Sequence, residues 1–126
     1  MRHRIAVVLL PALLAGCASM TTPYSEVTGE RFNLAVADRR AVSIISVGKQ
    51  SGWISNQPVL VDPGTYPVEI STRGHAGFPP RNATITVNVE PCKRYYINAQ
   101  FQDPVSQNFV PVIDHVETVA GCKRPG

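Results

Sequence analysis

The chain has few of the residues on which most enzymes depend. Its 126 residues hold three histidines and three cysteines. No Gly-x-Ser-x-Gly elbow, His-Glu-x-x-His pair, phosphate-binding glycine loop or Cys-x-x-Cys occurs, so the common layouts for nucleophilic, zinc-dependent and nucleotide chemistry are missing. Beyond the first sixteen residues only His75 and His115 remain, in distant segments. Asp114 and His115 are adjacent in an extended stretch, which predicts side chains on opposite faces and no Asp–His pair. The reading is a non-enzyme with no cofactor. A metal site from His75, His115 and a carboxylate, as a metal-dependent hydrolase would need, has no support from spacing, so no metal ligand is assigned.

Two further absences bound the architecture. The longest apolar run, Ile5 to Ala15, is interrupted by Pro11 and falls short of the roughly 20 residues that a membrane-spanning helix needs. After Cys17 no stretch carries the 3.6-residue period of a long amphipathic helix. Charge of one sign is also scarce. Of twelve basic residues, Arg2 and Arg4 lie in the leader, leaving ten against nine acidic ones. The body is near neutral, and the overall pI of about 9.0 makes no case for a nucleic-acid partner.

What is present begins with an address. Residues 1–16 have the three-part build of a secretory signal: basic Met1-Arg2-His3-Arg4, the apolar run, and small residues at the cut. Leu14-Ala15-Gly16-Cys17 resembles the lipobox of bacterial lipoproteins at every position. The resemblance implies cleavage before Cys17, a diacylglyceryl thioether on its sulfur, and acylation of the new amino terminus with palmitate-type chains. A single chain gives only marginal membrane binding, whereas several hold firmly. By the sorting rule of that family, Ala18 rather than Asp after the cysteine favours the periplasmic face of the outer membrane. Residues 17–28 then read as the lipidated cysteine and a flexible tether, and 29–126 as one domain.

With Cys17 carrying lipid, Cys92 and Cys122 are left, and in an exported protein they read as a disulfide. Two free or metal-binding thiols are the competing reading. A bridge closing a loop of this length stabilises by about 3.5 kcal/mol in the chain-entropy picture. Cys92 stands just before one expected strand, Lys93 to Phe101, and Cys122 just past the next, Val110 to Val119. Antiparallel pairing of the two strands would bring the cysteines together.

The rest of the body alternates with period two. Arg31 to Val36 predicts a strand, and Asp38-Arg39-Arg40 a turn. Ala41 to Val47 breaks alternation at Ile44-Ile45, which predicts a strand apolar on both faces or one carrying a bulge. Val59 to Ser71 reads as a hairpin around Asp62-Pro63-Gly64-Thr65, with Tyr66, Val68 and Ile70 on one face. Thr84 to Val89 places Ile85, Val87 and Val89 inward, and the strand after Cys92 places Tyr95, Ile97, Ala99 and Phe101 on a core face. Pro111 restricts the last strand to an edge or a bulge. Val61-Asp62-Pro63-Gly64-Thr65-Tyr66-Pro67-Val68-Glu69-Ile70 resembles the turn-and-strand signature of PEGA-type small β-sandwich repeats, although Pro63 is followed directly by Gly64. The expectation is an all-β domain, a small antiparallel β-sandwich of immunoglobulin-like or transthyretin-like type with about seven strands, a small barrel being the alternative.

Recognition on such a body falls to loops. Arg73 to Arg81 carries two arginines, His75 and Phe78, and fits either a binding loop or a crossover between sheets with Phe78 as a plug. Trp53 fits either an anchor for a partner or a lid on the core. The functional expectation is a lipid-anchored structural or protein-binding accessory of the envelope, with an envelope protein as partner. The second reading is a peptidoglycan or envelope-glycan binding module using Trp53, Arg73, His75, Phe78 and Arg81.

Overall fold

Alternating β-branched residues bounded by Gly, Pro and Asp leave the chain little choice but strands, and strands are what it forms. The computed structural model describes residues 24–30, 34–52, 57–74 and 77–122; Cys17, Trp53 and His75 lie outside the described residues. Among the described residues the protein is all-β, without a helix. The strands are β1 (Ser25–Thr28), β2 (Arg39–Val47), β3 (Gln50–Ser51), β4 (Val59–Val61), β5 (Gly64–Thr72), β6 (Asn82–Val89), β7 (Lys93–Phe101) and β8 (Phe109–Thr118).

All eight belong to one hydrogen-bonded sheet that does not close on itself. Its main path runs β4-β1-β7-β2-β5-β6, with β8 on the other edge of β7 and β3 beside β2. β2 is the strand that joins its two sections. Arg39 to Ala41 pair with β7, and Val42 to Val47 pair with β5. Between Ile44 and Ser46 the register with β5 shifts, so the doubled Ile44-Ile45 is a bulge. Ile44 points into the core while Ile45 is only half-buried.

Val27, Val59, Val61, Tyr95, Ile97, Ala99 and Phe101 from one section meet Val42, Ile44, Val47, Val68, Ile70, Val87 and Val89 from the other in a single apolar cluster. The inward residues expected on β5, β6 and β7 are those that point inward, Ile85 being partly covered at the cluster's rim. Burial of such side chains stabilises by roughly 1.5–3 kcal/mol each before entropy is counted.

β7 and β8 form the expected antiparallel hairpin, from Lys93 opposite Thr118 to Phe101 opposite Phe109. Its open end is closed by a disulfide between Cys92 and Cys122, with Cα atoms 5.5 Å apart. Cys92 is fully buried, and its carbonyl accepts the Val119 amide at 2.9 Å. Pro111 sits in β8, whose only partner among the described residues is β7, so the missing amide N–H costs no ladder bond on that open edge.

The structure corrects the sequence reading at several places, among them Asp38-Arg39-Arg40, of which only Asp38 is turn while Arg39 and Arg40 open β2. Ser25–Thr28 is not tether: it is β1, buried between β4 and β7. Its pairing with β7 is parallel, which makes the sheet mixed rather than wholly antiparallel. The physical reason is Ser25, whose hydroxyl donates to the Glu90 carbonyl and accepts from the Lys93 amide at 3.1 Å, so the chain enters beside the start of β7 and runs with it. The strand expected over Arg31 to Val36 is turn from Leu34 onward, and Leu34 is 84% exposed; its first three residues lie outside the described ones.

Val59 to Ser71 is not a hairpin either. β4 pairs with β1, whereas β5 pairs with β2 and β6, so Asp62-Pro63-Gly64 is a corner that carries the chain from one section to the other. Tyr66 makes the corner rigid. Its hydroxyl donates to the Asp62 carbonyl at 2.7 Å, and its ring lies so close to Gly48, at φ 57°, that a β-carbon there would sit 2.9 Å from it. Last, Arg73 to Arg81 is not a crossover between sheets: it links β5 and β6, antiparallel neighbours up to Ser71 opposite Asn82.

Candidate functional site

Two polar assemblies stand out, both organised by β7. The first lies on the face of β1, β7 and β8 that points away from the core. Arg94 reaches a carboxylate oxygen of Glu26 on β1 and, through Nη1 at 2.8 Å, Oε1 of Glu117 on β8. The Tyr96 hydroxyl donates to the same Glu117 oxygen at 2.5 Å. The Tyr96 hydroxyl first, then the Arg94 guanidinium, hold Glu117 below the usual carboxylate range, and the two carboxylates hold Arg94 firmly protonated. Every charge in this cluster has a partner, so its geometry is that of a clasp across three strands.

A bulge decides what His115 can do. Between Tyr96 and Ile97 the β8 register skips Asp114, so Asp114 and His115 reach the same face, against the expectation from simple alternation. They remain separate. Asp114 accepts from Arg39 Nη1 at 2.7 Å, while His115 stands over the Tyr96 ring with Nε2 3.9 Å from Glu117. Among the described residues no group of three His, Cys, Asp or Glu side chains is placed to hold a metal ion.

The second assembly is a groove of ≈ 440 Å³ at the far end of β7, lined by Arg39, Arg40, Arg73, Asp38, Phe101 and Leu34 among others. Backbone bonds build it. The Phe101 amide donates to the Asp38 carbonyl at 2.9 Å, fixing the start of β2 against the end of β7, and Asp38 takes a positive φ of 60° to turn into that strand. Asp tolerates such a backbone better than most residues. Arg39 is held by Asp114 and by the Gln100 side chain at 3.0 Å, and Arg73 by Glu30 at 2.7 Å. Arg40 lies over the Phe101 ring, its guanidinium carbon 5.7 Å from the centroid, and its Nε is buried without a hydrogen-bond partner.

The loop residues picked from sequence divide. Arg73 lines the groove. Phe78 is half-buried, with its carbonyl 3.1 Å from where a β-carbon on Gly74 would stand. Arg81 faces elsewhere: its amide and carbonyl bond Thr72 across the loop base, and its guanidinium donates to the Gln107 carbonyl at 3.4 Å. Trp53 and His75 are outside the described residues. Sequence reasoning missed Asp38, Arg39, Arg40 and Phe101 as a group. A signal was present, since two consecutive arginines opening a β-branched run are unusual, but they read as turn residues.

Comparison of the chain with protein-family models, with curated proteins and with solved structures found no match.

Proposed function

We propose that this chain is a lipid-anchored protein of a bacterial envelope: residues 1–16 are removed as a signal peptide, Cys17 carries the lipid, and a small β-sandwich sits at the periplasmic face of the outer membrane as a structural or protein-binding accessory without catalysis. The observation that carries the reading is Leu14-Ala15-Gly16-Cys17 behind a basic, then apolar, leader. The fold makes the arrangement workable. Ser25 is pinned at the disulfide end of β7, so the eight positions from Ala18 to Ser25 span at most about 29 Å and hold that end towards the bilayer. β7 then carries the opposite end, with its groove, about 26 Å further out. The apolar side chains of both sheet sections meeting in one core support a sandwich of immunoglobulin-like or transthyretin-like type, as the resemblance of Val61 to Ile70 to PEGA-type repeats implies.

Cys17→Ala, or inhibition of the lipoprotein signal peptidase, tests the anchor. Precursor accumulation and loss from the membrane fraction are the expected results, and unchanged processing and fractionation contradict the proposal.

The groove favours a second role on the same anchor: binding of peptidoglycan or another envelope glycan, with Arg73 at its mouth. Retention of the protein on purified sacculi at low salt tests this role, and its absence removes it.

A further inference from the structure

The described arginines differ in one respect. Arg39, Arg73 and Arg94 each have a carboxylate partner, and Arg81 has a backbone carbonyl. Arg40 has neither, and its buried Nε lacks any acceptor. A buried guanidinium N–H without a partner forgoes the hydration it has in the unfolded chain, so its persistence calls for a reason. Its surroundings supply one. The Phe101 ring lies against it, 5.7 Å from centroid to guanidinium carbon, and Arg40 lines the groove. A guanidinium held in this way is preorganised for a planar, bidentate anion.

The rest of the lining narrows the ligand. Asp38 contributes a carboxylate to the same groove, with no side-chain partner among the described residues. Its negative charge disfavours a phosphate, which carries nearly two charges, and tolerates a monoanion that also brings an N–H donor. Leu34, 84% exposed, and Val36 offer an apolar wall. Exposed leucine beside charged side chains is the mixed lining of a small-ligand cleft, and ≈ 440 Å³ lies inside the usual size range of roughly 300–1,000 Å³.

We propose that this groove binds the free carboxyl terminus of an extended peptide ending in an apolar residue. Arg40 takes the carboxylate, Asp38 accepts the peptide N–H, and Leu34 and Val36 bed the last side chain. Arg73, half-exposed at the mouth, adds positive potential that draws the carboxylate in. The inference stands apart from the lipid anchor, since it needs only the groove.

The purified full chain in detergent, titrated with N-acetyl-Ala-Ala-Leu by calorimetry, tests it. Saturable binding is expected, weakened at least tenfold when the peptide carries a C-terminal amide and at least tenfold in R40Q. D38N should weaken the acid peptide severalfold, whereas R81Q, away from the groove, should bind as the unaltered chain does. Equal binding of acid and amide, binding of decanoate as tight as that of the peptide, no binding of the acid peptide, or undiminished binding by a folded R40Q would each overturn the proposal. If R40Q does not keep its disulfide and melting transition, the acid–amide comparison on the unaltered chain decides.

Discussion

Glu117 shows how much one side chain depends on its neighbours. Its folded titration point lies below the ordinary value near 4.5 because the ionised form is held by Tyr96 and Arg94. The unfolded chain therefore takes up this proton first as pH falls. The contribution of the clasp to stability is complete above about pH 4.5 and is lost as pH drops through the lower folded value. Tyr96→Phe should destabilise the fold at pH 6, and the gap in denaturation midpoint from the unaltered protein should narrow towards pH 3. A gap that stays constant with pH would place the effect of Tyr96 in packing alone. Gly29 makes a second residue-scale case. A β-carbon there would lie 2.2 Å from the Val42 carbonyl oxygen, which leaves no side chain room without parting β1 from β2. Gly29→Ala should lower stability by roughly 1–3 kcal/mol, read from the urea midpoint. Arg40 was not legible as a site residue, because what distinguishes it is the absence of a partner, and sequence does not reveal which of several arginines finds a carboxylate.

At the scale of elements, what the sequence made legible is what depends on nearest neighbours along the chain. Period two gives the inward faces of β5, β6 and β7, while the doubled isoleucine and Pro111 each leave two outcomes open, of which the structure takes the bulge in β2 and the edge position for β8. Pairing is another matter. Asp62-Pro63-Gly64-Thr65 has hairpin chemistry, yet the strands on either side belong to different sections, because β4 is captured by β1. Turn residues specify a change of direction, not a partner. β1 itself was missed for a related reason: four residues, Ser25 to Thr28, hold one apolar side chain, and their burial comes from the Glu26–Arg94 pair and the Ser25 bridge rather than from their own pattern. The β7–β8 hairpin was legible from the two cysteines. Replacing both with alanine should cost about 3.5 kcal/mol, and within 2–5 kcal/mol, by guanidinium denaturation. Mass spectrometry of the non-reduced protein should find Cys92 linked to Cys122.

The whole molecule is polar in the geometric sense. One end holds the disulfide, the entry of β1 and the exit of β8. The other holds the groove of Arg40, Asp38 and Phe101. An anchor at Cys17 would turn the first end to the bilayer and present the second to the periplasm, so that position and recognition are assigned to opposite ends of β7. Everything in that arrangement depends on the fate of one cysteine. The decisive measurement is mass spectrometry of the intact protein extracted from membranes. The account predicts a chain that begins at Cys17 and carries the mass of a diacylglyceryl thioether with an acylated amino terminus. A mature chain with an unmodified Cys17, or one that retains residues 1–16, would contradict it.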